Sequence, residues 1–489
     1  MRRTVVLTSR ENFVWLSMQE IIPLIEKNWK ESAAPGRHEV VIRNVDRFSI
    51  PELMPELLRA DQIVFTCFTV KLARIGELLR KSFGLEARYF VYLHHQATIL
   101  CWPLHAWGMG ALLREDDVFI ASSAADARAM RHSFPRCRVE VIPFTLPGLR
   151  SSYRIPPSSR GDEIPFVYAG RISAQKNLHT LLYAFRLFAD ANPGLGWKLS
   201  LYGKEDHLGS PNMGMRSTDY GRTLRGLVRD LRLGDRVSLA GYRDRGALNR
   251  ILARERHVAV STSLHSDENF GMSPFRSLVR GNLAVLSRWG GFADFERGFP
   301  GLVFLAPVAE TERGPWVDPR GFARLLSQAA DAYRGGKRKS ARVSPAYLEE
   351  NIARRLRRLA AEPARPGALL KPTPLARRIL EKRETFEKLK PGSGRIFESY
   401  ADPDARAPFR SYRMERARAR SLAKELICAP WVVLGKRSVQ VRDPHRGSFS
   451  IALGAAKTGS GVRLTDWQGR TAYASRRAAS RLASLGYAR

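Results

Sequence analysis

Residues 261–293, STSLHSDENFGMSPFRSLVRGNLAVLSRWGGFA, read as the end of one strand, a turn, a helical segment, a second strand and a glycine turn. Glu268 stands just before Phe270 and Gly271, where the helical segment opens; Gly281 precedes the apolar strand 283–286, and Gly290 and Gly291 follow it. An acid beside a turn that opens a helix can accept hydrogen bonds from sugar hydroxyls. The unpaired N–H groups of the helix start can hold a phosphate at the same time. A nucleotide-sugar carries both groups.

Upstream, short β-runs alternate with helical stretches. Strands are expected at 166–169, 198–202, 237–240 and 257–261, with helices at 177–190, 220–231 and 246–255. The same alternation fills the first 145 residues. There, strands are expected at 4–8, 39–43, 62–67, 88–94, 118–121 and 139–142, separated by amphipathic stretches such as 70–83 and 124–134. This pattern predicts an α/β protein in which a parallel sheet wrapped by helices occurs twice. Doubly wound halves bind ligands at the C-terminal ends of their strands, which face the inter-domain cleft.

The expected plan is a Rossmann-like domain over 1–147, a Pro-, Ser- and Gly-rich linker over 148–164, and a second Rossmann-like domain over 165–365. Helices at 318–334 and 345–361 close the second domain. Residues 366–489 form a basic appendage. Its β-like runs at 431–434, 438–441, 448–453 and 462–464, with a last helix at 475–485, suggest a small β module.

With 489 residues there is room for two or three domains, and 44% hydrophobic residues exclude wholesale disorder. A formal charge of +34 implies attraction to polyanions: nucleic acid, an anionic membrane surface or phosphorylated substrates. Solvated arginine-rich faces account for the same charge without any partner. Cys67, Cys101, Cys137 and Cys428 show no CxxC spacing, which argues against zinc and for a reducing compartment. The N-terminus reads as a strand rather than a signal peptide, and no run approaches the ~18 apolar residues of a membrane span. The expected location is cytoplasmic, peripheral on the inner membrane face.

Residues 168–177, YAGRISAQKN, place Arg171 and Lys176 five apart around a glycine turn and a helix start. The two cations could straddle a diphosphate leaving group and stabilise its developing charge. Two plain surface cations are the alternative, although a helix N-terminus is a poor place for positive charge. Gly170, Gly203 and Gly241 each end a strand, where glycine lets backbone approach a base or ribose closely.

Taken in order, GRISAQKN (170–177), SLYG (200–203), SLAGY (238–242), STSLHSDENFG (261–271), RGNLAVLS (280–287) and GG (290–291) resemble the retaining glycosyltransferases of family 4, which have the GT-B fold and fall among the glycosyl transferases group 1. YLHHQAT (92–98), FIASS (119–123) and VIPF (141–144) extend the likeness into the first half, and 366–489 lie outside it. The resemblance implies two Rossmann-like domains facing a cleft, with a nucleotide diphosphate sugar held mainly by the second. It implies phosphate-binding roles for Arg171 and Lys176, and a sugar-holding role for Glu268. The turn at Asn269, Phe270, Gly271, Met272 and Ser273 would bring its amides to the phosphates. His94 or His95 would line the sugar site, and the sequence does not choose between them. A packed strand-end histidine is the plainer reading of either. Metal is not required by such enzymes, and no cofactor is implied beyond the donor itself.

Two departures stand out. The family's second motif acid would fall at 276, where this chain has Arg276. That acid grips ribose hydroxyls, and a guanidinium accepts no hydrogen bonds. Either the ribose is held otherwise, or Arg276 contacts a phosphate or a nearby acid, or the enzyme is impaired. In addition, Ser9-Arg10-Glu11-Asn12 stand where many members have a glycine-rich acceptor loop.

Weaker signals have plain readings. The apolar segment between Phe13 and Trp29 is expected to pack on the sheet, the alternative being an interfacial membrane helix. Asp402-Pro403-Asp404 reads as a turn rather than a metal site. The expectation is a retaining hexosyltransferase for cell-surface glycan or glycolipid synthesis, with a glycan or lipid-linked acceptor. The rival is a catalytically silent GT-B scaffold protein. Nucleic-acid binding through 366–489 lacks a recognition motif.

Overall fold

Six apolar runs of the first half become six parallel strands: β1 (Arg2–Thr8), β2 (His38–Asn44), β3 (Gln62–Phe65), β4 (Arg88–Leu93), β5 (Val118–Ala121) and β6 (Arg138–Val141), ordered β2-β1-β3-β4-β5-β6. The computed structural model describes residues 1–14, 16–94, 105, 108–156, 163–206, 219–266, 268–311, 313–335, 340–364, 367–389, 404, 407–412, 414–416, 425–444, 447–454, 461–466 and 469–488. β3, β4 and β5 are buried along their whole length, as parallel strands covered on both faces must be.

After the short strand β7 (Ser152–Arg154), the pattern restarts with β8 (Ile164–Ala169), β9 (Trp197–Tyr202), β10 (Val237–Gly241), β11 (Val258–Ser261), β12 (Leu283–Ser287) and β13 (Val303–Ala306). These form a second parallel sheet in the order β10-β9-β8-β11-β12-β13.

Short polar caps turn the chain from strand to helix. Thr69 Oγ1 accepts from Leu72 N, Ser123 Oγ from Asp126 N and Asp244 Oδ1 from Ala247 N. The helix Met18–Ser32 follows β1 and buries Ile21, Ile22, Ile25 and Trp29 in the core, with Trp29 Nε1 donating to Tyr92 Oη at 2.9 Å. Its apolar side is therefore spent on the sheet, not on a membrane. Among the described residues no helix is long and apolar enough to cross one.

The chain returns to the first domain after the second. The expected helix at 345–361 is split by an extended Leu348 into a short turn, Pro345–Tyr347, and the helix Glu349–Ala361. That helix packs against Met18–Ser32, with Lys27 Nζ 2.6 Å from Glu349 and Gln62 Nε2 donating to Ala360 O at 2.9 Å. Leu370 N then donates to Leu113 O and Thr373 N to Ser133 O, so this stretch also lies on the first domain. The sequence plan had placed everything to 365 with the second.

The C-terminal region holds two three-stranded sheets and the helix Arg476–Ser484. It docks on the helix Leu178–Ala191 of the second domain. Trp431 meets His179 and Tyr183 edge-on at 5.2 and 5.6 Å, and His179 Nε2 lies 3.2 Å from Asp443 Oδ1. Cys67, Cys137 and Cys428 are buried free thiols, whereas Cys101 lies outside the described residues.

The two Rossmann-like domains meet through the C-terminal ends of their strands. Asn269 Nδ2 donates to His94 O at 2.6 Å, Ser122 Oγ to Asn269 O at 3.2 Å and Ala124 N to Asp294 Oδ2 at 2.7 Å. This is the GT-B arrangement.

Candidate functional site

The site begins where β8 ends. Gly170 N donates to Tyr202 O and Gly203 N to Gly241 O, so the three strand-end glycines lie side by side. A Cβ on Gly203 would sit 1.8 Å from Gly170 O. Gly203 is thus required for two turns of the protein to pack on each other, whatever ligand lies beside them. Gly241 has φ +71° and open space around it.

Beyond Gly170 the chain makes one 3-10 turn, Ala174–Lys176, and enters a helix through Asn177 at φ 57°. Asparagine tolerates this left-handed conformation. Its Nδ2 donates to Thr262 O at 3.1 Å, while Thr262 Oγ1 donates to Asn177 O at 2.8 Å. The turn is thereby fastened to the end of β11, and Lys176 is aimed at the loop that carries Glu268.

Lys176 Nζ lies 2.7 Å from Glu268 Oε2, and Ser263 Oγ donates to the same oxygen at 2.5 Å. Both charged side chains are nearly buried. Burial lowers the Lys176 pKa, the Glu268 carboxylate opposes that shift, and nearby Arg171 adds to it. Arg171 lies 3.1 Å from Asp206 Oδ2 and 3.4 Å from His265 Nε2. The Gln175 amide satisfies both neighbours when its oxygen accepts from Arg171 and its nitrogen donates to His265 Nε2 at 2.9 Å.

The Glu268 loop rests on the glycine pair. Gly291 N donates to Glu268 O at 2.8 Å, and a Cβ on Gly290 would fall 2.1 Å from that oxygen. Phe270 is a core side chain, packed on Phe144, Phe275 and Phe295 with ring centres 5.0–5.5 Å away. Gly271, at φ 96°, opens the helix Met272–Leu278. The Phe270 ring is thus committed to the core, which leaves its backbone as the part that can face a ligand.

Arg276 crosses to the first domain. Its guanidinium pairs with Glu20 of the helix Met18–Ser32 and lies 3.3 Å from Asn249 Oδ1. His94, at the end of β4, lies with Nε2 2.7 Å from Thr66 O and stacks on Phe144. Burial pushes its pKa down to about 4, so the imidazole is neutral near pH 7. His95 and Asp267 lie outside the described residues. Among the described residues no cluster of His, Cys, Asp and Glu could hold a metal ion.

Sequence reasoning missed Ser263, Asp206, Gln175, His265, Asn177 and Glu20. Glu20 carried one usable signal: an acid within an apolar helical segment needs a buried partner. Asp206 and Gln175 carried none, because Asp206 meets Arg171 and Gln175 meets His265 only once the chain has folded.

No curated protein sequence matches this one. The chain is similar in backbone to a lipopolysaccharide outer core galactosyltransferase, at 14% identity over 73% of this chain and 99% of that one, with a TM-score of 0.48. It is also similar to a glycosyltransferase from Rickettsia africae ESF-5, at 10% identity over 80% of this chain and 99% of that one, with a TM-score of 0.46. A third is an alpha,alpha-trehalose-phosphate synthase (UDP-forming) from Burkholderia xenovorans in complex with glucose-6-phosphate. It shows 14% identity over 74% of this chain and 98% of that one, with a TM-score of 0.43. The residues from Gly170 to Gly291 that build the site all fall within 150–309, the stretch that matches the family model of the glycosyl transferases group 1.

Proposed function

We propose that this chain is a glycosyltransferase that takes a hexose from a nucleotide diphosphate sugar in the second domain and passes it to an acceptor held by the first. The observation that carries this reading is the buried group Lys176–Glu268–Ser263 beside Arg171, within the stretch matched by the group 1 model. Lys176 and Arg171 already have carboxylate partners. A diphosphate arriving beside them brings enough negative charge to favour the protonated lysine and to draw both cations onto it.

In the reaction, the bond between the anomeric carbon and the diphosphate oxygen breaks, and its electron pair leaves with the phosphate. Arg171, Lys176 and the amides at Gly271–Ser273 stabilise that charge as it forms. Glu268 accepts from the sugar hydroxyls. The acceptor hydroxyl attacks on the face from which the phosphate departs, and its proton passes to the departing phosphate oxygen. The outcome is retention without a metal. Transfer unchanged by EDTA is the expected result; loss of transfer, restored by Mn²⁺, would overturn the metal-free part.

His94 is proposed to line the sugar site as a neutral group, and the acceptor to be a glycan or lipid-linked sugar of a cell-surface polymer. A silent scaffold is the second reading. It is favoured by one observation: Arg276 is committed to Glu20 in place of an acid that could take ribose hydroxyls. A thermal-shift series with UDP, GDP, ADP and their sugars separates the two. A selective stabilisation that Lys176→Ala removes supports the enzyme and names the base. No shift with any nucleotide supports the scaffold.

A further inference from the structure

A cavity of about 380 Å³ opens in the first domain, lined by Thr8, Arg10, Glu26, Arg43, Arg47 and Phe48 among others. It lies beyond the C-terminal ends of β1 and β2, where open parallel sheets bind ligands. This end of the sheet faces the second domain. Glu20, on the same helix as Glu26, touches Arg276, and six residues of helix separate the two acids by about 9 Å.

Three guanidinium groups and one carboxylate line the cavity, and its surroundings hold them in place. Arg10 Nη2 lies 3.1 Å from Glu26, which also accepts from Thr8 Oγ1 at 2.8 Å. The Arg10 guanidinium sits 4.7 Å from the Phe13 ring centre. Arg43 is paired with Glu56, with Nη2 at 2.9 Å. The turn Val45–Arg47 is capped by Asn44 and tied to the β1 loop by Asp46, which accepts from Ser9 Oγ and Arg10 N. Lys71 Nζ donates to Val45 O and Phe48 O beneath it. Arg47 makes no ion pair among the described residues and is exposed at the rim, beside Phe48.

Two anchored arginines and one unpaired arginine around a concave space exceed what holding two loops requires. Their planar donors match phosphate oxygens. We infer that this cavity is the subsite for a phosphate group carried by the acceptor. The inference rests on the glycosyltransferase reading for the word acceptor, and on the cavity itself for the phosphate. Ile42 and Phe48 supply an apolar wall for the remainder of the ligand.

The test is calorimetric titration of the full chain with inorganic phosphate and glycerol 3-phosphate, with glycerol as the uncharged control. UDP is present to occupy the donor site. Arg47→Ala and Arg10→Gln should each weaken glycerol 3-phosphate binding by about tenfold, whereas Arg229→Ala, which removes an exposed arginine of the second domain, should leave it unchanged. Affinity equal to wild type in both Arg47→Ala and Arg10→Gln overturns the inference, as does an equal loss in Arg229→Ala. Arg47→Ala removes an exposed side chain, so its folding is not in question, and unfolding of Arg10→Gln would not mask the result. Vesicles containing phosphatidic acid form a second arm. Binding that Arg47→Ala removes assigns the phosphate to a lipid headgroup, and binding of glycerol 3-phosphate without vesicle binding assigns it to a soluble ester. Failure of wild type to bind UDP counts against the donor reading and leaves the cavity result standing.

Discussion

Glu268 sits in a pair whose members cannot be removed singly without cost. Lys176→Met leaves a nearly buried carboxylate without its cation, which should destabilise the fold by about 3 kcal/mol. The double variant Lys176→Met/Glu268→Gln should recover much of that loss in thermal unfolding while transfer stays at least 100-fold down. Recovery of transfer along with stability would contradict the assigned roles. His257 is a second residue with a definite expectation. Its ring lies 2.9 Å from Ser277 Oγ and 3.1 Å from Glu255 O, and burial lowers its pKa from 6.5 to about 4. Between those values the unfolded chain takes up a proton that the folded chain refuses. Stability is therefore full above pH 6.5 and falls by about 3 kcal/mol as pH drops to 4. His257→Gln should flatten part of that slope in denaturant titrations at several pH values. Arg171, Lys176 and Glu268 could be singled out in the sequence because each lies in a short ordered motif, and the pairing of Lys176 with Glu268 is what the structure adds. For Glu20 the sequence showed only an acid in need of a buried partner, since Arg276 lies 256 residues away.

The strand and helix pattern was legible as far as residue 287, because runs such as VFIA at 118–121 and LAVL at 283–286 are apolar on both faces and suit a buried parallel strand, whereas β13 and the strands Val308–Thr311 and Gly314–Val317 went unread. The glycines were legible as turns but not for their reasons. Gly203 and Gly290 are small because the backbone of Gly170 and Glu268 presses against them. Gly203→Ala should therefore cost about 2 kcal/mol or more and displace Arg171, weakening nucleotide binding as well. Calorimetry and a UDP titration check both effects. A variant as stable as wild type would mean that the two turns have room to part. The break at Leu348 escaped the sequence reading, since the apolar pattern continues across it and only the packing of Tyr347 among Phe270, Phe275 and Phe299 demands the bend.

At the scale of the molecule, two further sets of contacts add to those of Asn269, Ser122 and Ala124 in holding the domains together. On one side Arg276 meets Glu20. On the other, the segment Ala407–Tyr412 straddles the junction: Tyr412 Oη donates to Asp126 Oδ1 at 2.6 Å while its ring packs edge-on against Trp289 at 5.0 Å. Arg276→Glu sets two carboxylates against each other, so the domains should part. The expected signs are a larger radius of gyration by X-ray scattering and weaker nucleotide binding. Glu20→Arg combined with Arg276→Glu should restore both. Tighter nucleotide binding in Arg276→Glu alone would mean instead that the position serves ribose and that the pair with Glu20 is incidental.

The sequence by itself determined two parallel α/β domains and the approximate places of most of their strands. All of these are local patterns of period, capping and spacing. Tertiary structure alone decided that Arg276 serves the junction with the first domain, that Glu349–Ala361 and 370–373 return to that domain, and that Ala407–Tyr412 clasps both domains. Each of these depends on pairing between residues more than a hundred positions apart, and a charge or ring in a linear chain carries no mark of the partner that folding will bring to it.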